Sequence, residues 1–279
     1  MSKASMIGID AGGTLTKLAI QDGEKLLFRQ FASSSSAEAA AWLGKQFPDA
    51  ALCLTGGRAK RLANELHRPA LPVIAEFEAM LKGSRYLLSQ GSVSEPSDYI
   101  LTNVGTGTSI HRIKGNRAVS LNGSGVGGGT LVGLCRLIMG VQNFDEIVRL
   151  AAAGHRDRVD LTVGRLYEGS EPPLPSAFTA SNFGYVTESQ EMTTADQAAA
   201  AIGLVAETIT TLSIFAAQKE QLQTIVYIGS TFSGNPLMKQ IVRDYSRYCS
   251  MQPVFPAHGA FSGAIGAMLH LARKKDKTI

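Results

Sequence analysis

The sequence predicts an α/β protein, and three observations carry that reading. Apolar runs of strand length alternate with helical stretches along the chain. Near residue 99 the pattern restarts with the strand, Gly/Thr turn, strand order that also opens the chain. The 29 glycines cluster at a few turns between these elements. The two halves echo each other in structure without a fixed sequence period, which excludes a solenoid or propeller.

The elements follow in order. Residues 5–10 and 15–21 read as strands joined by the turn "DAGGT", and "LLFRQF" (26–31) adds a third. The serine run 33–36 precedes "AEAAAWLGKQF", a helix start signal with a helical face behind it. "ALCL" (51–54) is a short buried strand, and "TGGRAKRLANEL" turns from it into a helix. "LPVI" (71–74) reads as another buried strand. "EFEAMLKGSRYLLSQ" (76–90) is a helix with Phe77, Met80, Leu81, Tyr86 and Leu87 near one face. The polar, Pro-containing "SVSEPSD" (92–98) marks a boundary, so lobes of 1–95 and 96–279 are expected. In the second lobe "YILTNVGTGTSIHRI" (99–113) is strand, turn, strand, and "AVSLNGSGVGGGTLVGLCRLIMG" (118–140) is strand, glycine loop, helix. Helices follow at about 143–152 and 195–218. A strand at 224–230 and helices at 235–248 and 260–274 complete the chain.

Composition narrows the function classes. With 279 residues, 44% hydrophobic and 18% charged, the chain can bury a real core. The net charge of +4 is spread along the sequence apart from "RKKDK" (273–277), which reads as a solvated helix end. No nucleic-acid partner is expected. Neither a signal peptide nor a membrane-length apolar run is apparent, so no membrane association is expected. Cys53, Cys135 and Cys249 lack CxxC spacing and read as buried thiols of a reducing cytoplasm. Five scattered histidines make a structural zinc site improbable.

The glycine turns carry the chemistry. In "DAGGT", Gly12 and Gly13 leave no Cβ in the way, so a hairpin there can aim several backbone N–H groups at one anion. Thr14 adds a hydroxyl, and Asp10 could hold Mg²⁺ or a water beside a phosphate. A plain hairpin with an Asp-initiated turn is the alternative. "NVGTGTS" (103–109) repeats the logic, with Gly105 and Gly107 alternating with Thr106 and Thr108. Two such hairpins favour a phosphate clamp. "GSGVGGG" (123–129) contains a literal GxGxxG, but it does not open its domain, and Asp145 and Glu146 lie in a helical stretch, not at a strand end. A helix N-terminus facing a nucleotide's phosphates or ribose is the better reading. A Walker P-loop is absent, and no serine has nucleophile-elbow spacing. Glu76 follows "LPVI" and opens a helix, where it is either a functional acid or a favourable helix-dipole partner.

The ordered set "GIDAGGTLTK", "LCLTGG", "EFEA", "NVGTGTS", "GVGGGT", "EPPLP", "NFG", "IVYIGS" and "GAFSGAIGA" resembles the type II pantothenate kinases, over about residues 5 to 270. The nucleotide motifs alone mark the wider sugar kinase, Hsp70 and actin superfamily. "EFEA", "EPPLP…NFG" and "GAFSGAIGA" narrow it to the type II group. The resemblance implies two ribonuclease-H-like lobes (an actin-like ATPase fold) with the nucleotide in the interlobe cleft, a cytoplasmic homodimer with its dimer contacts in the second lobe, and ATP and Mg²⁺ as cofactors. It implies phosphorylation of pantothenate, the first step of coenzyme A biosynthesis. Asp10, Ala11, Gly12, Gly13, Thr14, Leu15, Thr16 and Lys17 match the first phosphate loop. Thr106 matches a second phosphate contact. Gly128, Gly129, Thr130, Leu131 and Val132 match nucleotide contacts. Phe144 and Ser230 match positions near the adenosine. Glu76 matches the acid that accepts the proton of the pantothenate hydroxyl.

One departure stands out. Where the family pattern has an arginine for the substrate carboxylate, this chain has Ser120, and Asn122 replaces a glycine. Serine cannot form arginine's bidentate, charge-assisted pair. Arg117 lies three residues upstream, on the opposite face of a regular strand, and could substitute only through a bulge or a re-routed loop. Reduced selectivity for the acid over neutral amides such as pantetheine is therefore expected. The alternatives are a kinase for pantetheine or an amino sugar, and a nucleotide-binding sensor of CoA-pathway metabolites with little turnover.

Overall fold

The computed structural model describes residues 6–23, 25–91, 96–186 and 192–275, with side chains to 272. Part of the expected boundary segment (92–95) and the side chains of the basic run 273–277 lie outside the described residues. The chain runs β1 (Met6–Ala11), β2 (Leu15–Asp22), β3 (Lys25–Ala32), α1 (Ser36–Gln46), β4 (Ala51–Thr55), α2 (Ala59–Glu65) and α3 (Glu76–Ser89). It continues through β5 (Asp98–Val104), β6 (Thr108–Lys114), β7 (Arg117–Ser124), α4 (Gly128–Met139), α5 (Phe144–Ala151), β8 (Leu161–Thr162), α6 (Val163–Leu166) and β9 (Thr179–Ser181). Last come α7 (Thr194–Lys219), β10 (Thr224–Ile228), α8 (Pro236–Tyr248), β11 (Gln252–Val254) and α9 (Ser262–Lys275).

These elements form two compact units. The first takes Met1–Ser97 together with Tyr227–Ser230 and Phe255–Ile279, and the second takes Asp98–Val226 and Thr231–Val254. The C-terminal helix, assigned by the sequence to the second lobe, thus packs in the first. Small residues on both α3 and α9 are the reason. A Cβ on Gly266 would strike the Ala79 carbonyl, and one on Gly83 would strike the Ser262 carbonyl, so α3 and α9 meet backbone to backbone.

The first unit is built on a four-stranded sheet, β3-β2-β1-β4. β1 pairs antiparallel with β2 and parallel with β4. Alternation along β1 covers both faces. Ile7 and Ile9 join Leu18, Leu52 and Leu54 in a core closed by Leu43 of α1 and Leu62 of α2. Gly8 faces the other way, where α9 lies so close that a Cβ would strike the Ala264 carbonyl. Ala19, Leu87, Ala264, Ile265 and Met268 fill that second layer. The expected strand "LPVI" is not one. Leu54 and Val73 form an isolated bridge, and Val73 is exposed. Pro72 has no N–H to donate, so no ladder extends there.

The second unit carries a five-stranded sheet, β11-β10-β5-β6-β7, and a small pair, β8-β9. Helix α7 is its core helix. It starts with a capping box between Thr193 and Asp196. Buried residues run from Ala198 to Ala217, and the Ser213 hydroxyl lies 2.8 Å from Thr102 Oγ1 of β5. The expectation of no membrane-length apolar run needs correction here. α7 is long and apolar enough to cross a membrane by composition, but 67% of that window is buried inside the protein. An all-round apolar helix inside a large core has the same pattern as a span.

Candidate functional site

The first unit holds Asp10, the glycine hairpin, Lys17 and Glu76. Asp10 and Lys17 are cross-strand partners near the turn end of the β1–β2 pair. Lys17 Nζ donates to Asp10 Oδ2 at 3.1 Å, and both side chains are mostly buried. Two glycines crowd the same carboxylate. A Cβ on Gly56 would come 2.9 Å from Asp10 Oδ1, and one on Gly263 would come 2.9 Å from Oδ2. Gly56 also has φ +92°, which glycine adopts without strain. "LCLTGG" and "GAFSGAIGA" therefore supply backbone that can close on Asp10.

Glu76 opens α3, whose first turn also carries Glu78. Glu78 pairs with Lys82 at 2.6 Å. Glu76 as a residue is exposed. Its carboxyl is nonetheless partly desolvated, and this burial, followed by the nearby Asp10 charge, raises its pKa above the ordinary value, while Lys17 pulls it back. A carboxylate beside a cation and a second acid suits proton acceptance.

The hairpin tip is fastened at its carbonyls. Ser33 N donates to Thr14 O at 2.9 Å, and Arg58 N donates to Ala11 O at 3.0 Å. Ser33 Oγ donates to Gly12 O at 2.8 Å. Ser230 falls in this unit too, after Gly229, whose N–H donates to Gly259 O at 3.4 Å.

The second unit holds Thr106, Gly128 to Val132 and Phe144. Here the glycine loop has a purpose that its sequence did not disclose. Gly128 N donates to Gly105 O, and Gly129 N to Thr106 O, each at 2.9 Å. Thr231 Oγ1 adds a bond to Gly105 O at 3.0 Å. A Cβ on Gly127 would lie 2.8 Å from the Gly107 backbone. The N-terminus of α4 thus docks on the second hairpin, and two of its first amides are committed there rather than open to an anion. Phe144, half-buried, starts α5 behind an Asn143 cap that accepts from Glu146 N at 2.9 Å.

Ser120 and Arg117 are resolved by strand register. Ser120 pairs with His111 and Arg117 with Lys114, while the register shift sets Asn122 against Ile110 and leaves Leu121 as the extra residue. The bulge is present, but it falls beyond both residues. Arg117 therefore stays on the opposite face from Ser120 and is exposed.

A polar network that sequence reasoning missed also lies in the second unit. Arg156 bonds Asp160, Thr179 and Glu207, at 2.9, 2.6 and 2.7 Å. Asn182 Nδ2 donates to Glu207 Oε2 at 2.9 Å. The network floors a cavity of about 590 Å³ walled by Phe178, Leu212 and Tyr245. Its residues come from segments up to 51 positions apart, so no local motif announces it. Cys249 also lines this cavity and is only half-buried, unlike Cys53 and Cys135. Among the described residues no group of three or more His, Cys, Asp or Glu could hold a metal.

Comparison with known structures first defines the class. The chain is similar to the activator of 2-hydroxyisocaproyl-CoA dehydratase from Clostridium difficile, solved with ADPNP, at TM-score 0.63 and 14% identity over 99% of this chain and 98% of that one. It is also similar to a ROK family glucokinase from Streptomyces griseus, solved with glucose and AMPPNP, at TM-score 0.57 and 16% identity over 97% and 99%. The fold is the actin-like ATPase fold of the sugar kinases. Within it the sequence is specific. The Fumble family model matches residues 19–270. The type II pantothenate kinase of Bacillus thuringiensis subsp. konkukian is 41% identical over 98% of this chain and 99% of its own. That of Staphylococcus aureus strain USA300 is 38% identical over 94% and 98%. The chain belongs to the Fumble family, with the type II pantothenate kinases.

Proposed function

We propose that this protein transfers the γ-phosphate of ATP to the primary hydroxyl of pantothenate, the first step of coenzyme A biosynthesis. The observation that carries this is the match at 41% identity across 98% of the chain. The geometry of the first unit supports it, with Lys17, Asp10 and Glu76 beside a glycine hairpin. In this reading the substrate oxygen attacks the γ-phosphorus as the bond to the β-phosphate oxygen breaks. Glu76 accepts the hydroxyl proton, and ADP leaves. Lys17, the hairpin amides and Thr106 neutralise and position the phosphates, which is most of what phosphoryl transfer needs. Gly128 to Thr130, Val132, Phe144 and Ser230 line the nucleoside, while Leu131, expected among them, is fully buried in the core. The Asp10 carboxylate fits Mg²⁺, which takes one or two protein carboxylates and otherwise phosphate and water oxygens. Such an ion would neutralise phosphate charge.

The substrate carboxylate is the exception. Ser120 offers a hydroxyl and Arg117 faces away. Pantetheine, the neutral amide, is therefore expected to compete well with pantothenate. A cytoplasmic homodimer completes the reading. Leu137 of α4 and Phe215 of α7 are 84% and 63% exposed, on helices that pack together, and a second copy would cover them. Light scattering that finds a monomer would remove that part.

The deciding experiment follows ADP release with ATP-Mg²⁺ and pantothenate, pantetheine or an amino sugar, for wild type and Glu76→Gln. Pantothenate turnover lost in the variant supports the proposal. Turnover of pantetheine or an amino sugar alone shifts the substrate. No turnover despite tight ATP binding supports a sensor.

A further inference from the structure

We propose that Ser33, the residue after β3, is a positioning residue for phosphoryl transfer that turns the amides of the first glycine hairpin toward the nucleotide's phosphates. This rests on the reading of that hairpin as a phosphate loop. In a trans peptide unit the C=O and the following N–H point in opposite directions. Ser33 Oγ holds the Gly12 carbonyl at 2.8 Å. Ser33 N holds the Thr14 carbonyl at 2.9 Å. The Gly13 and Leu15 N–H groups are thereby directed to the side away from Ser33. The same residue's carbonyl accepts from Arg58 Nη1 at 3.3 Å, and Arg58 N holds the Ala11 carbonyl. Gly12 N is turned inward and closes the hairpin on Leu15 O at 3.1 Å. Ser33 itself is 1% exposed and cannot touch a ligand from solvent.

The second unit repeats the device with other parts. The carbonyls of Gly105 and Thr106 are held by Gly128 and Gly129, which turns the Thr106 and Gly107 amides away from α4. A hairpin of glycines is floppy by itself. Carbonyls tied from one side convert it into a fixed set of donors, and a buried serine does this where no glycine loop is at hand.

The test uses the full chain with Ser33→Ala, Ser33→Thr, Arg58→Gln and Lys17→Ala. It measures KM for ATP-Mg²⁺ and for pantothenate, the Kd for ADP by calorimetry, and Tm. Ser33→Ala is expected to raise the ATP KM and the ADP Kd roughly fivefold, the scale of one hydrogen bond, and to leave the pantothenate KM unchanged. Ser33→Thr should restore both. A lowered Tm with unaltered ADP binding makes Ser33 merely structural and overturns the inference. If Ser33→Ala does not fold, the exposed Arg58→Gln decides, with roughly a twofold rise in ADP Kd expected and no change overturning it. Lys17→Ala separates the two levels. If it leaves ADP binding intact, the phosphate-loop reading itself fails. If it weakens ADP while Ser33→Ala does not, the Ser33 inference alone fails.

Discussion

Lys17 Nζ lies 3.1 Å from Asp10 Oδ2, directly across the β1–β2 pair. The two charges act on Glu76 with opposite signs, Asp10 raising its pKa after burial and Lys17 lowering it. Because a base must be ionised, kcat/KM should rise with pH along an acid limb whose midpoint lies above the ordinary glutamate value of about 4.3. Lys17→Met should move that limb to higher pH in whatever activity remains. Glu76→Gln should abolish it and lower kcat by about 10² to 10⁴. A raised folded-state pKa means the folded chain binds this proton more tightly, so stability falls as pH rises through the window. Glu76→Gln should therefore raise Tm at neutral pH, and the gain should vanish in acid below both pKa values.

Gly263 tests how tightly the Asp10 carboxylate is held. Alanine usually stabilises a helix by about 1 kcal/mol over glycine. Here its Cβ would come 2.9 Å from Asp10 Oδ2. Gly263→Ala should lower kcat/KM roughly ten- to hundredfold through displacement of the carboxylate. Steady-state kinetics beside a melting curve will show an activity loss larger than any change in Tm explains.

Arg156 holds the buried network of the second unit. Asp160 is fully buried, and burial raises its pKa against the opposing Phe183 amide and Arg156 guanidinium. Arg156→Ala leaves that carboxyl unpaired and should cost about 3–5 kcal/mol in urea unfolding. Gly203 would lose its reason to be glycine, since the guanidinium is what its Cβ would strike.

His111 makes the second unit acid-sensitive. It is 5% exposed, and burial depresses its pKa to about 4. The unfolded chain therefore binds the proton first as pH falls. Stability should drop between about pH 6.5 and 4, by up to about 3 kcal/mol. Chemical denaturation at pH 7, 5.5 and 4.5 should show a flatter dependence in His111→Gln.

Much of this was legible in the chain. Glu76 at a helix start, the two Gly/Thr hairpins and the strand before α4 are local, since capping, glycine turns and period-2 runs are properties of neighbouring residues. "LPVI" misled because a short apolar run with a proline makes one bridge, Leu54 to Val73, and no ladder beyond it. α7 misled in the other direction, since alanine-rich burial and a membrane span share a composition.

The sequence by itself determined the α/β class, the hairpins and the family, because each rests on spacing within a few residues or on motif order. Only the tertiary structure decided that α9 belongs with the first unit, that Gly128 and Gly129 bond to hairpin carbonyls, and that Arg117 faces away from Ser120. It alone brought Ser33 to Gly12, Glu207 to Arg156 and Gly263 to Asp10, across 21, 51 and 253 positions. Carbonyl fastening, close approach and register are set by which chain segments meet in space, and no local pattern encodes that meeting.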